Sequence, residues 1–367
     1  MGNRCYLGCD VHEHTTTVCL AWEEGGKMKR QDLGEVATTQ AALEEAAAGW
    51  AGSWGARLGE LWPPVPVMET GGRSLLVHDA LVPLVDEVWV VDASEVARLR
   101  GRRPKNDKED AFGLARLAAE GLLHPLWIPP PEVLGLRALM RVRRSTVERQ
   151  TTLGNQLRAL AKQGGNPVER GEAVSGANLR RLREAAWKTE DFAEAIASLI
   201  RQAESVAAEL KTLGRLVEER FATSREAQWL ATLPRCGAVY SLTLVTEIGD
   251  IRRFRSAEAL RSFAGLTPGH GESAGKRIGG GLSKHGNRHL RWAFMGLANQ
   301  VSFLPADEEE LAGLYWRRVN KLRGSRGAQL KAQAIVASRL CEVVYAMLRQ
   351  GRGYERRVAG QELCRAA

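Results

Sequence analysis

The stretch CYLGCDVHEHTTTVCLAWEEGGKMKRQDLGEV, residues 5–36, decides the fold class. Cys5 to Cys9 is short and apolar, and Thr15 to Trp22 is rich in Thr and Val, which suit a pleated surface. Glu24-Gly25-Gly26-Lys27 is a hairpin turn signal, after which a third strand runs to about Val36. Three antiparallel strands are therefore predicted at the start of the chain.

Working outward, Thr39 opens an Ala-rich helix to about Trp50. Val65 to Met68 reads as a buried strand, Ser74 to Leu84 as a helix, and Val88 to Val91 as a fifth strand. Helical sequence follows, clearest over Ala111–Glu120. Strands that come first as a meander and then alternate with helices predict an α/β domain with a mixed sheet.

Beyond Pro129-Pro130-Pro131 the pattern changes. Leu139, Val142, Thr146, Leu153, Leu157 and Leu160 form one stripe, and Phe192, Ile196, Leu199, Val206, Leu210, Leu213 and Val217 form another. A polar loop over 164–178 separates them. Heptad-like stripes on two long helices with charged outer faces predict an antiparallel coiled-coil hairpin. From about Trp229, short helical patterns joined by Leu233-Pro234-Arg235-Cys236-Gly237, then a helix capped by Ser256, resemble a helix–hairpin–helix unit. Such a unit offers backbone N–H groups to phosphate. The predicted domains are 1–131, 132–222 and 223–350, with a tail over 351–367.

The 367 residues carry 52 Lys and Arg against 43 Asp and Glu, a net charge of +9 that suits a polyanionic partner. Six cysteines without a CxxC pair make neither a disulfide framework nor a zinc ribbon. No apolar run reaches the ~18 residues of a membrane span, and no secretory leader is legible, so a cytoplasmic protein of bacterial style is expected, with no membrane partner.

Asp10 follows the first predicted strand and Glu69 the fourth, while Asp107 and Asp110 stand three apart near a helix start. Any one of these acids alone reads as a cap or a surface group. Together they fall where four carboxylates can converge on one sheet edge, and hard divalent cations such as Mg²⁺ take oxygen ligands of this kind. His12 and His14 read as polar rim residues. Between His270 and Arg291 the chain is Gly-rich and carries Lys276, Arg277, Lys284, Arg288 and Arg291 against Glu272 alone, as expected of a segment lying on nucleic-acid phosphate or of a flexible basic loop.

The segments LGCDVHEH, METGG and KNDKEDA, with EIGDIRRFRSAEALRSFAGLTPGHGESAGKRIGGGLSKHGNRHLR, resemble the DEDD-type insertion-sequence transposases of the family numbered one hundred and ten, with its sister group and the pilin-gene invertases. The resemblance covers roughly residues 4–120 and 229–300. It implies a ribonuclease-H-like (RuvC-like) first domain whose Asp10, Glu69, Asp107 and Asp110 bind Mg²⁺ or Mn²⁺. It implies a catalytic serine in the C-terminal domain, and Ser273 fits that context, with Ala274 where the family has Gly. Ser283 is the other serine of the segment, and a simple phosphate hydrogen bond is the other reading of Ser273. Glu13 departs from the basic residue frequent in the family at that place. The implied activity is DNA strand cleavage and rejoining that mobilises an insertion sequence. The implied partners are donor and target DNA and a structured guide (bridge) RNA. The extended helices between Leu134 and Val217 predict a dimer or dimer of dimers, and such a hairpin would carry the second domain to a partner, so that the acids and Ser273 come from different subunits. A metal-dependent nuclease or junction resolvase without serine chemistry, and an inactive nucleic-acid-binding relic, are the alternatives.

Overall fold

The computed structural model describes residues 4–101, 106–169, 171–268, 271–273, 276–278, 282, 286–307 and 309–355. Ser283 and Lys284 lie outside the described residues, and for Gly271–Ser273 and Lys276–Ile278 only the backbone is described. The chain divides into two units, Met1–Ile128 and Pro129–Ala367.

The first unit contains β1 (Tyr6–Val11), β2 (Thr15–Glu24), β3 (Lys27–Ala37), α1 (Gln40–Leu58), β4 (Val65–Glu69), α2 (Ser74–Leu81), β5 (Trp89–Val91), α3 (Ala93–Arg100) and α4 (Asp107–Ala119). The sheet order is β3-β2-β1-β4-β5. The pairs β3–β2 and β2–β1 are antiparallel, whereas β1–β4 and β4–β5 are parallel, so the sheet is mixed as expected. Gly25 and Gly26 form the first turn with φ of 60° and 72°, the left-handed conformation that a two-residue hairpin turn demands.

Both faces of the sheet are covered, which explains why Thr16 to Trp22 is buried throughout rather than at alternate residues. Leu43, Leu58, Val77 and Leu81 of α1 and α2 pack on Leu7, Cys9, Val18 and Leu20. Leu114, Leu117 and Ala118 of α4 pack with Val67, Val91 and Val96 on the other face. Helix α1 runs past the expected end at Trp50 to Leu58, despite Gly52 and Gly55. Trp54 lies 5.8 Å from Trp22, and this packing outweighs the weak local propensity.

The second unit contains α5 (Pro131–Gln163), α6 (Gly176–Glu184), α7 (Glu190–Thr223), α8 (Arg225–Ala231), α9 (Ala238–Ile248), α10 (Ala257–Phe263), β6 (Gly271–Ser273), β7 (Lys276–Ile278), α11 (Arg288–Val301), α12 (Glu310–Lys321) and α13 (Ala328–Gln350). Helices α5 and α7 run antiparallel: Leu157 and Ala161 cluster with Ile196 and Ile200, and Met140 clusters with Val217. The predicted loop over 164–178 ends early, because Ser175 caps α6 and Leu179 and Leu182 close the tip of the pair. The stripe also differs in detail. Met140 is buried, whereas Val142 is 48% exposed.

Helices α8 to α13 enclose one core around Phe294, Leu297, Leu340 and Val344. Ser256 caps α10 by accepting from Ala259 N, as the sequence predicts. The Gly-rich segment contains a two-stranded antiparallel ribbon, β6–β7, in which Ser273 pairs with Lys276 and Glu272 with Arg277. A bridge between Pro268 and Leu282 stands at its base. Among the described residues no helix is long and apolar enough to cross a membrane. Cys5, Cys9, Cys19, Cys236 and Cys341 are free, and burial pushes their thiols up to about 12.

Candidate functional site: an acidic edge and a clamped basic segment

Asp10 lies inside β1 as its penultimate residue, and Glu69 is the last residue of β4, rather than each following its strand. These strands are parallel neighbours whose register pairs Cys9 with Met68, so Asp10 and Glu69 come side by side at the same carboxyl-terminal edge. Asn106 caps α4 by accepting from Lys108 N, which places Asp107 and Asp110 in the first turn. Gly8 lets α4 approach: a Cβ there would lie 2.8 Å from the Ala111 carbonyl carbon and overlap its oxygen.

The acids separate into two groups. Asp10 and Asp107 flank His12, whose Nε2 is 3.2 Å from Asp10 Oδ2 and 3.8 Å from Asp107 Oδ1. Ligand atoms of these three residues lie within 4.8 Å of one another, close to the about 4.2 Å that two ligands of one small divalent ion can span. Glu69 and Asp110 instead face Arg100. Burial, followed by the nearby charges of Asp110 and Asp107, raises the Asp10 carboxyl above its ordinary range, and His12 offsets part of this.

The donor set fits a hard or borderline divalent ion. Two carboxylates supply oxygen ligands, and the imidazole of His12 is better tolerated by Mn²⁺ than by Mg²⁺. Glu13 does not add free negative charge to this edge, since Arg73 holds its carboxylate at 2.6 and 3.0 Å. His12 and Arg100 are the residues that sequence reasoning missed here. Proximity of His12 to Asp10 in sequence was the available signal for one, and nothing local marks the other.

In the second unit, the basic segment ends at Asn287. Its Oδ1 accepts from His289 N and Leu290 N, capping α11, while its Nδ2 donates to Glu247 Oε2 at 2.8 Å. Glu247 of α9 is 1% exposed and takes a bidentate bond from Arg141 of α5 at 2.7 and 2.8 Å. Arg137 donates to the carbonyls of Thr246 and Glu247. Burial alone would raise the Glu247 carboxyl, but the hydrogen bonds from Arg141 and Asn287 and the charges of Arg141 and Arg137 bring it below its usual range. Asn287 N also bonds the Phe263 carbonyl, so this end of the segment is tied to α5, α9 and α10 together.

Next to this clamp stands a cationic, aromatic surface. Arg144 lies over Trp292 at 4.7 Å and approaches His289 at 3.5 Å. Arg288 is exposed and Arg291 half-buried on the first turn of α11. Arginines beside an indole are suited to nucleic-acid phosphates and bases. Of the predicted contact residues, Lys276 and Arg277 lie on β7 and Arg288 and Arg291 on α11, with Ser273 on β6.

The family model DEDD_Tnp_IS110, described as a transposase, matches residues 7–164, and the model described as "Transposase IS116/IS110/IS902 family" matches residues 227–311. The chain belongs to this family of DEDD-type insertion-sequence transposases. It is 30% identical over 226 residues to the Sinorhizobium fredii protein y4qE, which carries a transposase name, covering 61% of this chain and 55% of that one. It is 24% identical over 255 residues to the transposase for insertion sequence element IS1111A of Coxiella burnetii, covering 68% of each. It is 27% identical over 289 residues to the pilin gene-inverting protein of Moraxella bovis, covering 77% of this chain and 76% of that protein. The match thus spans about half the length of y4qE and more of the others.

Proposed function

We propose that the chain is a DNA recombinase that cuts and rejoins strands to move an insertion sequence. The observation that carries this reading is the gathering of Asp10, Asp107 and His12, with Glu69 beside Asp10, at the carboxyl edge of a mixed sheet in a chain of this family. That arrangement supports a ribonuclease-H-like reading of the first unit. Asp10, Asp107 and His12 would hold a divalent ion, Mg²⁺ or Mn²⁺, which when bound supplies charge stabilisation at a scissile phosphate.

Ser273 acts as the nucleophile. Its Oγ forms a bond to phosphorus as the phosphodiester P–O bond breaks, and the leaving oxygen takes a proton to become a free hydroxyl end. The reverse step rejoins strands without an energy-rich cofactor, because the phosphoester linkage is kept. The basic residues Lys276, Arg277, Lys284, Arg288 and Arg291 hold phosphate, while a structured guide RNA supplies the choice of sequence by base pairing. Backbone-directed contacts from a chain of net charge +9 agree with such a division of labour. The assembly contains at least two copies of the chain.

The test compares Asp10→Asn with Ser273→Ala on donor and target DNA with the RNA encoded beside the gene. Both variants should bind nucleic acid, and neither should yield a covalent protein–DNA adduct or recombinant product, but Ser273→Ala should retain metal binding whereas Asp10→Asn should lose it. Cleavage that persists in Ser273→Ala would make the protein a metal-dependent nuclease.

A further inference from the structure

Glu69 and Asp110 share a counter-ion within the protein itself. Arg100 Nη1 stands 3.1 Å from Asp110 Oδ1 and 3.4 Å from Glu69 Oε1, and Nη2 donates to the Asp110 carbonyl oxygen. The Arg100 side chain is only 17% exposed, so this attraction is less screened than that of a surface pair. Two features of the backbone hold the guanidinium there. Arg100 ends α3, where Gly101 leaves the helix with φ of 66°, so the side chain starts from a fixed terminus. Gly113, three residues beyond Asp110 on α4, leaves the groove it crosses: a Cβ at that position would lie 3.2 Å from Arg100 Nε.

We propose that Arg100 is a built-in cation occupying the Glu69–Asp110 half of the acid set. The site then takes one divalent ion readily, on the Asp10–Asp107 side, and a second only by displacing the guanidinium. This rests on the reading of the acids as a metal site given above. An ion ligated by both Glu69 and Asp110 would sit about 2.1 Å from oxygens that Nη1 already holds, placing two cations within a few ångströms of each other. Their repulsion forces a choice between them. Arginine keeps its charge at every working pH, so deprotonation does not open the second position. Arg100 is thus a positioning residue: it holds two clustered carboxylates in place, and it sets how many ions the metal-binding edge accepts.

The experiment is a Mn²⁺ titration of the full chain without nucleic acid, followed by the electron paramagnetic resonance signal of free Mn²⁺ and by calorimetry. The wild type should bind one ion per chain in its tight class. Arg100→Gln should add a second ion, or tighten a weak second one at least tenfold, whereas Arg100→Lys, which keeps a competing cation, should resemble the wild type. Gly113→Ala crowds the guanidinium from the other side and should reproduce the gain, which keeps the test decisive should Arg100→Gln fold poorly by circular dichroism. Two ions of similar affinity in the wild type would overturn the proposal while leaving the metal reading intact, as would unchanged binding in both Arg100→Gln and Gly113→Ala, or in Gly113→Ala alone where Arg100→Gln does not fold. A wild type that binds no Mn²⁺ would overturn the metal reading itself, and this inference with it.

Discussion

Gly8 of β1 lies against the backbone of Ala111 of α4, with no room for even a methyl group between them. The contact fixes how far the helix acids stand from the strand acid, since Asp10 is two residues beyond Gly8 and Asp110 directly precedes Ala111. Gly8→Ala is expected to push α4 away from the sheet, at a cost of about 1–3 kcal/mol in urea unfolding. The same change should weaken Mn²⁺ binding at least tenfold, because Asp107 moves away from Asp10. Unchanged stability and unchanged affinity would show that α4 does not need this approach.

Asp10 is ionised at a cost in the metal-free protein, because burial and the charges of Asp110 and Asp107 raise its carboxyl. A raised carboxyl favours the fold below its unfolded value, and that advantage is lost as pH rises through the folded value. Asp10→Asn should therefore raise the melting temperature in EDTA at neutral pH. It should also abolish the tight Mn²⁺ site. A lower melting temperature would mean that the Asp10–His12 hydrogen bond outweighs the repulsion.

Glu247 is predicted to be a stability residue whose contribution depends on pH in the opposite sense. Its carboxyl is lowered in the fold, so the contribution is present above the unfolded value near ~4.3 and fades as pH falls through the folded one. Glu247→Gln removes the carboxylate charge that faces Arg137 and the bidentate acceptor of Arg141. The expected loss is about 2–4 kcal/mol at pH 7, less than for a fully buried pair because Arg141 is 43% exposed. Denaturation curves at pH 7 and pH 3 check this: the gap between wild type and variant should narrow at the lower pH.

Val142 offers a test of the proposed assembly. It stands exposed on α5, in a stripe whose apolar spacing anticipates a partner. Val142→Asp should shift the protein toward the monomer in light scattering while leaving its far-ultraviolet circular dichroism unchanged. Equal dimer strength in both proteins would place the contact on another face.

Much of the first unit was legible because its signals are local. The Gly25-Gly26 turn, the Thr-rich strand and the helix start at Asp107 and Asp110 each act over a few residues. The neighbourhood of Asp10 and Glu69 was also accessible, since parallel strands leave their carboxyl ends at one edge. Arg100 was not, because its role depends on where α3 stops relative to α4, and that is a tertiary relation. Glu247 was hidden for the same reason: an acid in an apolar helix marks burial, but its partners come from residues more than a hundred positions earlier and forty later. Val142 failed as a core residue because the stripe that packs on α7 rotates toward Met140 at that end of the pair.

The ribbon β6–β7 sets a reach. Ser273 is the last paired residue of its strand, and the Pro268–Leu282 bridge stands five residues back at the base. Five residues of extended chain measure at most about 17 Å, so the Ser273 backbone stands no farther than that from the bridge. Arm length thereby becomes a quantity that can be tuned like a tether. Removing one residue from each arm would draw the tip in by about 3 Å, and removing two from each would draw it in by about 7 Å.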